Sequence, residues 1–182
     1  ESIAEMPRVL CFQRKRVEVP SQTLSSREAT SAAVADALKR RGLAGTVRRV
    51  AASPDVYSIR RRPRRNASVT IFVATRNPYS LVRRCLEAIR KNTAWPGYEI
   101  VVINNQSDET DLLNYLDSEQ SAGRLRVFDY DRPFNHSEMH NLAVAATDSD
   151  LIVLLNNDVH ITSADWLEQL VATAESNSTI GG

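Results

Sequence analysis

Glycine is scarce, with six residues in the whole chain, and none of them follows the first buried apolar run, at residues 69–73. The dinucleotide-binding fingerprint and the Walker phosphate-binding loop both need glycines directly after such a run. Their absence strongly disfavours an NAD-dependent enzyme and an ordinary P-loop NTPase. A phosphate bound here must be neutralised in another way, most simply by a divalent cation on oxygen ligands.

Cysteine is scarce as well, because the chain has only Cys11 and Cys85, far apart in sequence. This excludes a disulfide framework and any cysteine metal-ligand spacing, and it favours a reducing compartment. No apolar run approaches the roughly 20 residues that a membrane-spanning helix needs, and no secretory signal is visible. We therefore expect a cytoplasmic protein without a transmembrane segment, with peripheral binding at the inner membrane face left open.

The net charge of +1 hides an asymmetry along the chain. Residues 1–65 hold 15 Lys and Arg against 6 Asp and Glu, whereas residues 66–182 hold 8 against 16. The boundary is the arginine-rich run 60–65, which we interpret as a solvated linker. Contact of this run with anionic lipid or nucleic acid is the alternative. No aromatic residues interleave with these arginines, so we do not expect a nucleic-acid partner.

The basic N-terminal segment, residues 1–65, is predicted to be a small α+β unit. We expect a short strand near residues 7–12 and a helix over residues 25–41, where Ser25 and Glu28 have capping-box spacing. Gly42 suits the position just after that helix. Two short strands are expected at residues 47–50 and 56–59. The segment 7–12 also resembles the tail of a preceding transferase domain.

From residue 69 onward the pattern alternates between strand and helix. Short branched apolar runs at 69–73, 100–103 and 151–155 predict strands buried on both faces of a parallel sheet, and a further strand is expected at 125–128. Helices are expected at 78–92 and 109–118, with Asn77 as the N-cap of the first. A third helix should follow the loop at 129–137 and end at residue 146, and a last one should follow Ser163 as its N-cap. The predicted fold class is α/β, a Rossmann-like, mainly parallel sheet flanked by helices.

Polar clusters follow three of these strands, at Thr75-Arg76-Asn77, at residues 104–108 and at Asn156-Asn157-Asp158. The carboxyl ends of parallel strands lie on one edge, so the clusters should converge on one crevice, where open α/β sheets bind ligands. Asp158 is the best candidate metal ligand, and Asn156 and Asn157 offer amide oxygens. His160 would share its side if the strand continued. We interpret His136 and His140 as structural or exposed.

The segments 69–77, 98–108, 133–137 with Asn141, and 154–158 together resemble the nucleotide-sugar-binding half of family 2 glycosyltransferases, which have the GT-A fold. The resemblance covers about the last two thirds of the chain. It is closest to the branch that builds bacterial surface polysaccharides, such as rhamnosyl and O-antigen transferases. It implies an inverting, metal-assisted transfer of sugar from a nucleoside-diphosphate donor to a polysaccharide or lipid-linked glycan acceptor, with Mn²⁺ or Mg²⁺ as cofactor.

The resemblance also implies roles for residues. The donor nucleotide would contact Thr75, Arg76, Asn77, Asn104 and Asn157. The cation would be held at Asp158, Asn156 and His160. The general base would lie beyond Gly182, so residues 66–182 would be a truncated donor-binding half, inactive alone and completed by other domains of a parent chain.

Departures from the family pattern keep a second interpretation open. Asn104 and Asn156 stand where the family usually has acids, Gln106 and Ser149 stand at usual glycines, and Ala74 stands at a usual proline. The alternative is a degenerate GT-A module that serves as a structural or glycan-binding platform. A nucleotidyltransferase is disfavoured because the glycine-rich basic loop that it needs after the first strand is missing.

Overall fold

A computed structural model of the protein describes residues 24–50, 53–63 and 66–176. The strand predicted at residues 7–12 lies outside these ranges. The helices are α1 (Leu24–Arg40), α2 (Tyr79–Lys91), α3 (Thr110–Ser121), α4 (His136–Ala145) and α5 (Trp166–Ala174). The strands are β1 (Gly45–Val50), β2 (Ser53–Arg61), β3 (Val69–Thr75), β4 (Tyr98–Asn104), β5 (Arg126–Asp129) and β6 (Leu151–Asn156).

The N-terminal part is a helix followed by an antiparallel hairpin of β1 and β2. The helix ends as predicted, because Gly42 adopts a φ of +64°, which glycine reaches without steric cost. Its predicted start was wrong, since Ser25 lies inside α1 rather than at the N-cap. The predicted linker also begins too early, because Arg60 and Arg61 pair with β1 as part of β2.

Four strands form one parallel sheet in the order β5-β4-β3-β6. Each follows the alternation of strand and helix that the sequence predicts, and the α/β fold class is confirmed. The apolar stripe of α2, formed by Val82, Cys85, Leu86 and Ile89, is buried against this sheet. Burying each such side chain contributes about 1.5–3 kcal/mol of transfer free energy, so this stripe fixes α2 on the sheet.

The prediction that the strands are buried on both faces is right for β3 and β4 and wrong for β6. The side chains of β6 alternate between half-buried and exposed, and Ile152 and Leu154 are 45% and 50% exposed. Among the described strands β6 pairs only with β3, so it is an edge strand there. Composition alone does not distinguish an edge strand with one uncovered face from a central one.

The hairpin is attached to the larger sheet through α5. The Gln169 side chain accepts a hydrogen bond from the Arg61 backbone N–H at 3.1 Å and donates one to the Arg61 carbonyl at 3.2 Å. Arg60 forms an ion pair with Asp165, the N-cap residue of α5. Asp165 also takes the cap position predicted for Ser163, whose hydroxyl bonds to the Asp165 carboxylate.

Candidate functional site

The three polar clusters meet at the carboxyl edge of the sheet, as the sequence predicts. Thr75 pairs in register with Asn104, and Ala74 pairs with Asn156. A cleft of about 280 Å³ opens at this edge. It is lined by Ala74, Thr75, Arg76, Asn77, Asn105, Phe134, His136, Met139, Asn156 and Asn157.

Five of the eight predicted site residues line this cleft: Thr75, Arg76, Asn77, Asn156 and Asn157. A hydrogen bond fixes the floor of the cleft, because the Asn157 side-chain amide donates to the Thr75 hydroxyl at 3.0 Å. Thr75 is 4% exposed, so this bond is shielded from competing water. It ties the turn after β6 to the end of β3 and holds the two polar clusters together.

Asn77 does not cap its own helix, so that prediction was wrong. Its φ is +51°, and α2 begins one residue later, with Pro78 in the N-cap position and no side-chain cap. The Asn77 amide instead donates to Asp108 at 2.6 Å and accepts from the Glu109 backbone N–H at 3.4 Å. The left-handed backbone turns Asn77 towards the neighbouring loop, so it joins two walls of the cleft.

Asn104 lies at the end of β4 but does not line the cleft. Its amide nitrogen donates to Asp129 at 2.9 Å, and its Oδ1 accepts from the Ser107 backbone N–H at 3.1 Å. An amide oxygen has two lone pairs, so contact with a base would have to use the second lone pair of Oδ1. The most direct effect of Asn104 in this structure is to shape the loop at residues 105–108.

Asn105 is a cleft residue that the sequence analysis placed in a cluster without giving it a role. It is 3% exposed, and its amide nitrogen donates to the carbonyls of Tyr130 and Arg132 at 3.2 and 3.1 Å. The next residue, Gln106, has a φ of +55° at a position where the family usually has glycine. The loop therefore keeps the backbone path of a glycine turn with a side chain in its place.

Asp158 and His160 lie in the exposed turn after β6 and do not line the cleft. The strand ends at Asn156, and Val159 N–H closes a turn onto the Asn156 carbonyl at 3.3 Å. The strand therefore does not continue to place His160 beside Asp158. Within the described ranges no group of three or more His, Cys, Asp or Glu side chains could hold a metal ion.

These residues nevertheless fit a cation shared with a bound diphosphate. Mg²⁺ commonly takes one or two carboxylates from the protein and the remaining ligands from substrate phosphates and water. Asp158 would supply the carboxylate, and the neighbouring Asn156 lines the cleft. Beneath the turn, the Cys85 thiol donates to the Asn156 carbonyl at 3.6 Å. Burial, and secondly the charge of Asp158, raise the pKa of Cys85 to about 11, so it stays a neutral thiol.

The opposite wall of the cleft comes from α4 and the loop before it. Phe134 is 67% exposed, and His136 lines the cleft with its ring centroid 4.2 Å from that of buried His140. Asn135 caps α4 by accepting from the Glu138 backbone N–H at 3.1 Å. Buried His140 has the structural character that the sequence indicated, whereas the position of His136 at the cleft was not predicted. Asn135 at the N-cap position was the available sequence signal that a helix starts at His136.

Comparison with known proteins identifies this arrangement. The sequence model of "Glycosyl transferase family 2" matches residues 70–181. The O-antigen biosynthesis protein RfbC of Myxococcus xanthus is 27% identical over 143 residues, which are 79% of this chain and 11% of RfbC. The O-antigen chain rhamnosyltransferase RfbN of Salmonella typhimurium is 33% identical over 105 residues, 57% of this chain and 32% of RfbN. The chain thus spans only a small part of these curated relatives.

Solved structures agree on the fold. The mannosyltransferase PcManGT from Pyrobaculum calidifontis, in complex with GDP-Man and Mn²⁺, superposes with a TM-score of 0.58 at 16% identity, covering 86% of this chain and 43% of that one. GalNAc-T7 with UDP, GalNAc and Mn²⁺ gives 0.54 at 20% identity, covering 61% and 21%. Because the family match extends over more than half of the sequence and the sheet is that of GT-A enzymes, the chain belongs to glycosyltransferase family 2.

Proposed function

We propose that this chain forms the donor-binding part of a glycosyltransferase. The enzyme would move a sugar from a nucleoside-diphosphate donor to an O-antigen type polysaccharide or a lipid-linked glycan acceptor. The observation that carries the proposal is the cleft at the carboxyl edge, which is lined by five residues that the family resemblance assigns to the donor nucleotide or its cation. Two similar solved structures contain a nucleotide or nucleotide sugar together with Mn²⁺.

Within this cleft, Thr75, Arg76 and Asn77 would contact the base and ribose, and Asn157 would hold the β6 turn against Thr75. Arg76 is exposed at the rim of the cleft, where it would add positive charge near the bound nucleotide. Asn104 would act on the base through the free lone pair of Oδ1, or through the loop that it shapes. A divalent cation, Mn²⁺ or Mg²⁺, would neutralise the diphosphate when bound, with Asp158 as its carboxylate ligand and Asn156 beside it; His160 loses its predicted part in this site because β6 ends at Asn156.

The reaction would be a single displacement at the anomeric carbon, with inversion. The acceptor hydroxyl needs a base, and the family resemblance places that base beyond Gly182. The small share of RfbC that the chain spans supports a parent protein with further domains. We propose a location in the cytoplasm, peripheral to the inner membrane face. Among the described residues, no helix has the length and hydrophobicity of a membrane-spanning segment.

The test is sugar transfer by the longest natural chain that contains this sequence, assayed with common nucleoside-diphosphate sugars. Transfer that depends on a divalent cation and is lost in Asp158→Ala would support the proposal. No transfer and no donor hydrolysis with any donor would refute it. Transfer that survives Asp158→Ala would favour the second candidate, a degenerate platform beside another active domain. The observation favouring that candidate is the engagement of Asn104 with Asp129 and Ser107.

A further inference from the structure

The strongest concentration of positive charge lies far from the cleft, on α1 and the hairpin. Six of its cationic side chains are exposed and two, in β2, are half-buried. We call this set the cationic hairpin surface: Lys39, Arg40, Arg41, Arg48, Arg49, Arg60, Arg61 and Arg62. Among the described residues after the hairpin, Asp and Glu outnumber Lys and Arg. The net positive charge therefore lies on α1 and the hairpin, and the net negative charge lies on the rest of the described chain.

Strand register brings most of these charges to one end of the hairpin. Gly45 pairs with Arg61, and the Arg62 N–H bonds to the Ala44 carbonyl. Only four residues separate the end of α1 at Arg40 from Gly45, so the basic residues 39–41 precede the strand end that pairs with residues 60 and 61. Thr46 pairs with Arg60, which puts Arg60 and Arg48 on one face as diagonal neighbours.

Few carboxylates neutralise this surface. Arg40 pairs with Asp36, and Arg60 pairs with Asp165. Among the described residues, Lys39, Arg41, Arg48, Arg49 and Arg62 form no ion pair. A small depression of about 210 Å³ between the hairpin and α5 is lined by four of the arginines, against Asp165 and Glu168. Clustered unpaired arginines raise the local potential and cost stability unless an anionic partner is nearby.

We propose that the cationic hairpin surface binds the anionic phospholipid surface of a membrane. Each Lys or Arg close to such a surface strengthens binding about fivefold. Single-stranded nucleic acid is the less suitable partner, because Tyr57 is the one aromatic residue in the described part of this segment and stacking platforms are lacking. The inference builds on the peripheral location proposed above and does not depend on sugar transfer.

The position of the hairpin determines how the protein would lie on the membrane. Leu167 and Val171 of α5 line the same groove as Val69 and Leu151, the first residues of β3 and β6. The hairpin that binds α5 is therefore at the amino end of the sheet, and the cleft is at the carboxyl end. Seven residues of β3 separate these ends, roughly 20 Å at 3.3 Å per residue. The cleft would open away from the lipid, where a soluble donor reaches it.

The test is co-sedimentation of the chain with vesicles of phosphatidylcholine alone or mixed with phosphatidylglycerol, at low and at about 0.15 M salt. The variant Arg48→Glu/Arg62→Glu removes exposed charge without touching Arg60 or Arg61, which attach the hairpin to α5. The matched control is Arg83→Glu/Arg84→Glu on exposed positions of α2, with the same change in net charge. Circular dichroism verifies that both variants are folded.

We expect binding to the anionic vesicles only, weakening as salt rises. The hairpin variant should bind at least about 30-fold more weakly, and the α2 variant within about threefold of the original chain. Three results would overturn the proposal: the chain binds no vesicles, both variants lose vesicle binding equally, or the chain binds a random-sequence single-stranded RNA in place of vesicles. UDP binding, measured on the same proteins, tests the cleft separately, so failure of one proposal is distinguishable from failure of the other.

Discussion

Asn77 lies just before α2 and Glu109 just before α3, and the side chain of each accepts a hydrogen bond from a backbone N–H at the start of the other helix. The Glu109 carboxylate accepts a hydrogen bond from the Tyr79 N–H, in the first turn of α2, at 2.8 Å. The Asn77 amide oxygen accepts from the N–H of Glu109, the N-cap residue of α3, at 3.4 Å. Because the first N–H groups of a helix have no partner within it, this exchange joins two loops that border the cleft.

Replacing Glu109 with alanine should therefore destabilise the protein by about 1 kcal/mol, the usual cost of a lost helix cap. Glu109→Gln keeps an acceptor and should cost less than half as much. Urea unfolding measures both. The control is Asp117→Ala on the exposed face of the same helix, which should change stability by less than about 0.5 kcal/mol. Equal stability of Glu109→Ala and Asp117→Ala would contradict the exchange.

Replacing Gln106 with glycine should raise the stability of the protein. Its φ of +55° is a left-handed conformation that costs a residue with a Cβ about 1–2 kcal/mol. Glycine removes that cost but loses more entropy on folding, so Gln106→Gly should stabilise the chain by about 0.5–1 kcal/mol in urea unfolding. Gln106→Ala keeps the Cβ and serves as the matched control, with little change expected. A destabilised glycine variant would mean that the Gln106 side chain contributes more than its backbone strain costs.

Glu119 should give the protein a pH-dependent stability. Hydrogen bonds from Arg124, followed by the charge of Arg90, hold the pKa of this buried carboxyl below its ordinary value of 4.5. A lowered folded-state pKa contributes stability that is present above pH 4.5 and lost as pH falls through the folded value.

Glu119→Gln should therefore be less stable than the original chain at pH 7, and the difference should shrink at pH 4 and below. Thermal unfolding followed across this range measures it. The same substitution at exposed Glu87, which pairs only with Arg83, should give a much smaller difference at pH 7. If the loss of stability in Glu119→Gln were the same at pH 7 and at pH 3, the carboxylate charge would not be the source of that stability.

Much of the fold was predictable because it depends on local periodicity. The run 69–73 and the stripe of Val82, Cys85 and Leu86 report burial directly. The exposed face of β6 was not predictable, since the exposure of Ile152 depends on which other elements cover the sheet. The convergence of Thr75, Asn104 and Asn156 followed from topology alone. The contact of Asn77 with the start of α3 could not be predicted in this way, because it depends on a backbone angle fixed by contacts with residues 108 and 109.

The far wall of the cleft shows the same limit. His136 reaches the cleft because α4 packs beside the end of β4, a contact between segments over thirty residues apart. Sequence spacing indicates that a helix starts near His136 but not which edge of the sheet it approaches. The positions of Asp158 and His160 likewise depended on where β6 ends, and strand ends are the least certain part of any pattern.

The most direct measurement is calorimetric titration of the chain with UDP and dTDP, with and without Mn²⁺, repeated on Asp158→Ala and on the control Asp117→Ala. We predict nucleotide binding that requires Mn²⁺, weakens at least about tenfold in Asp158→Ala and persists in Asp117→Ala. A folded chain that binds neither nucleotide with Mn²⁺, or binds equally well after Asp158→Ala, would contradict a cation-dependent donor site at this edge of the sheet.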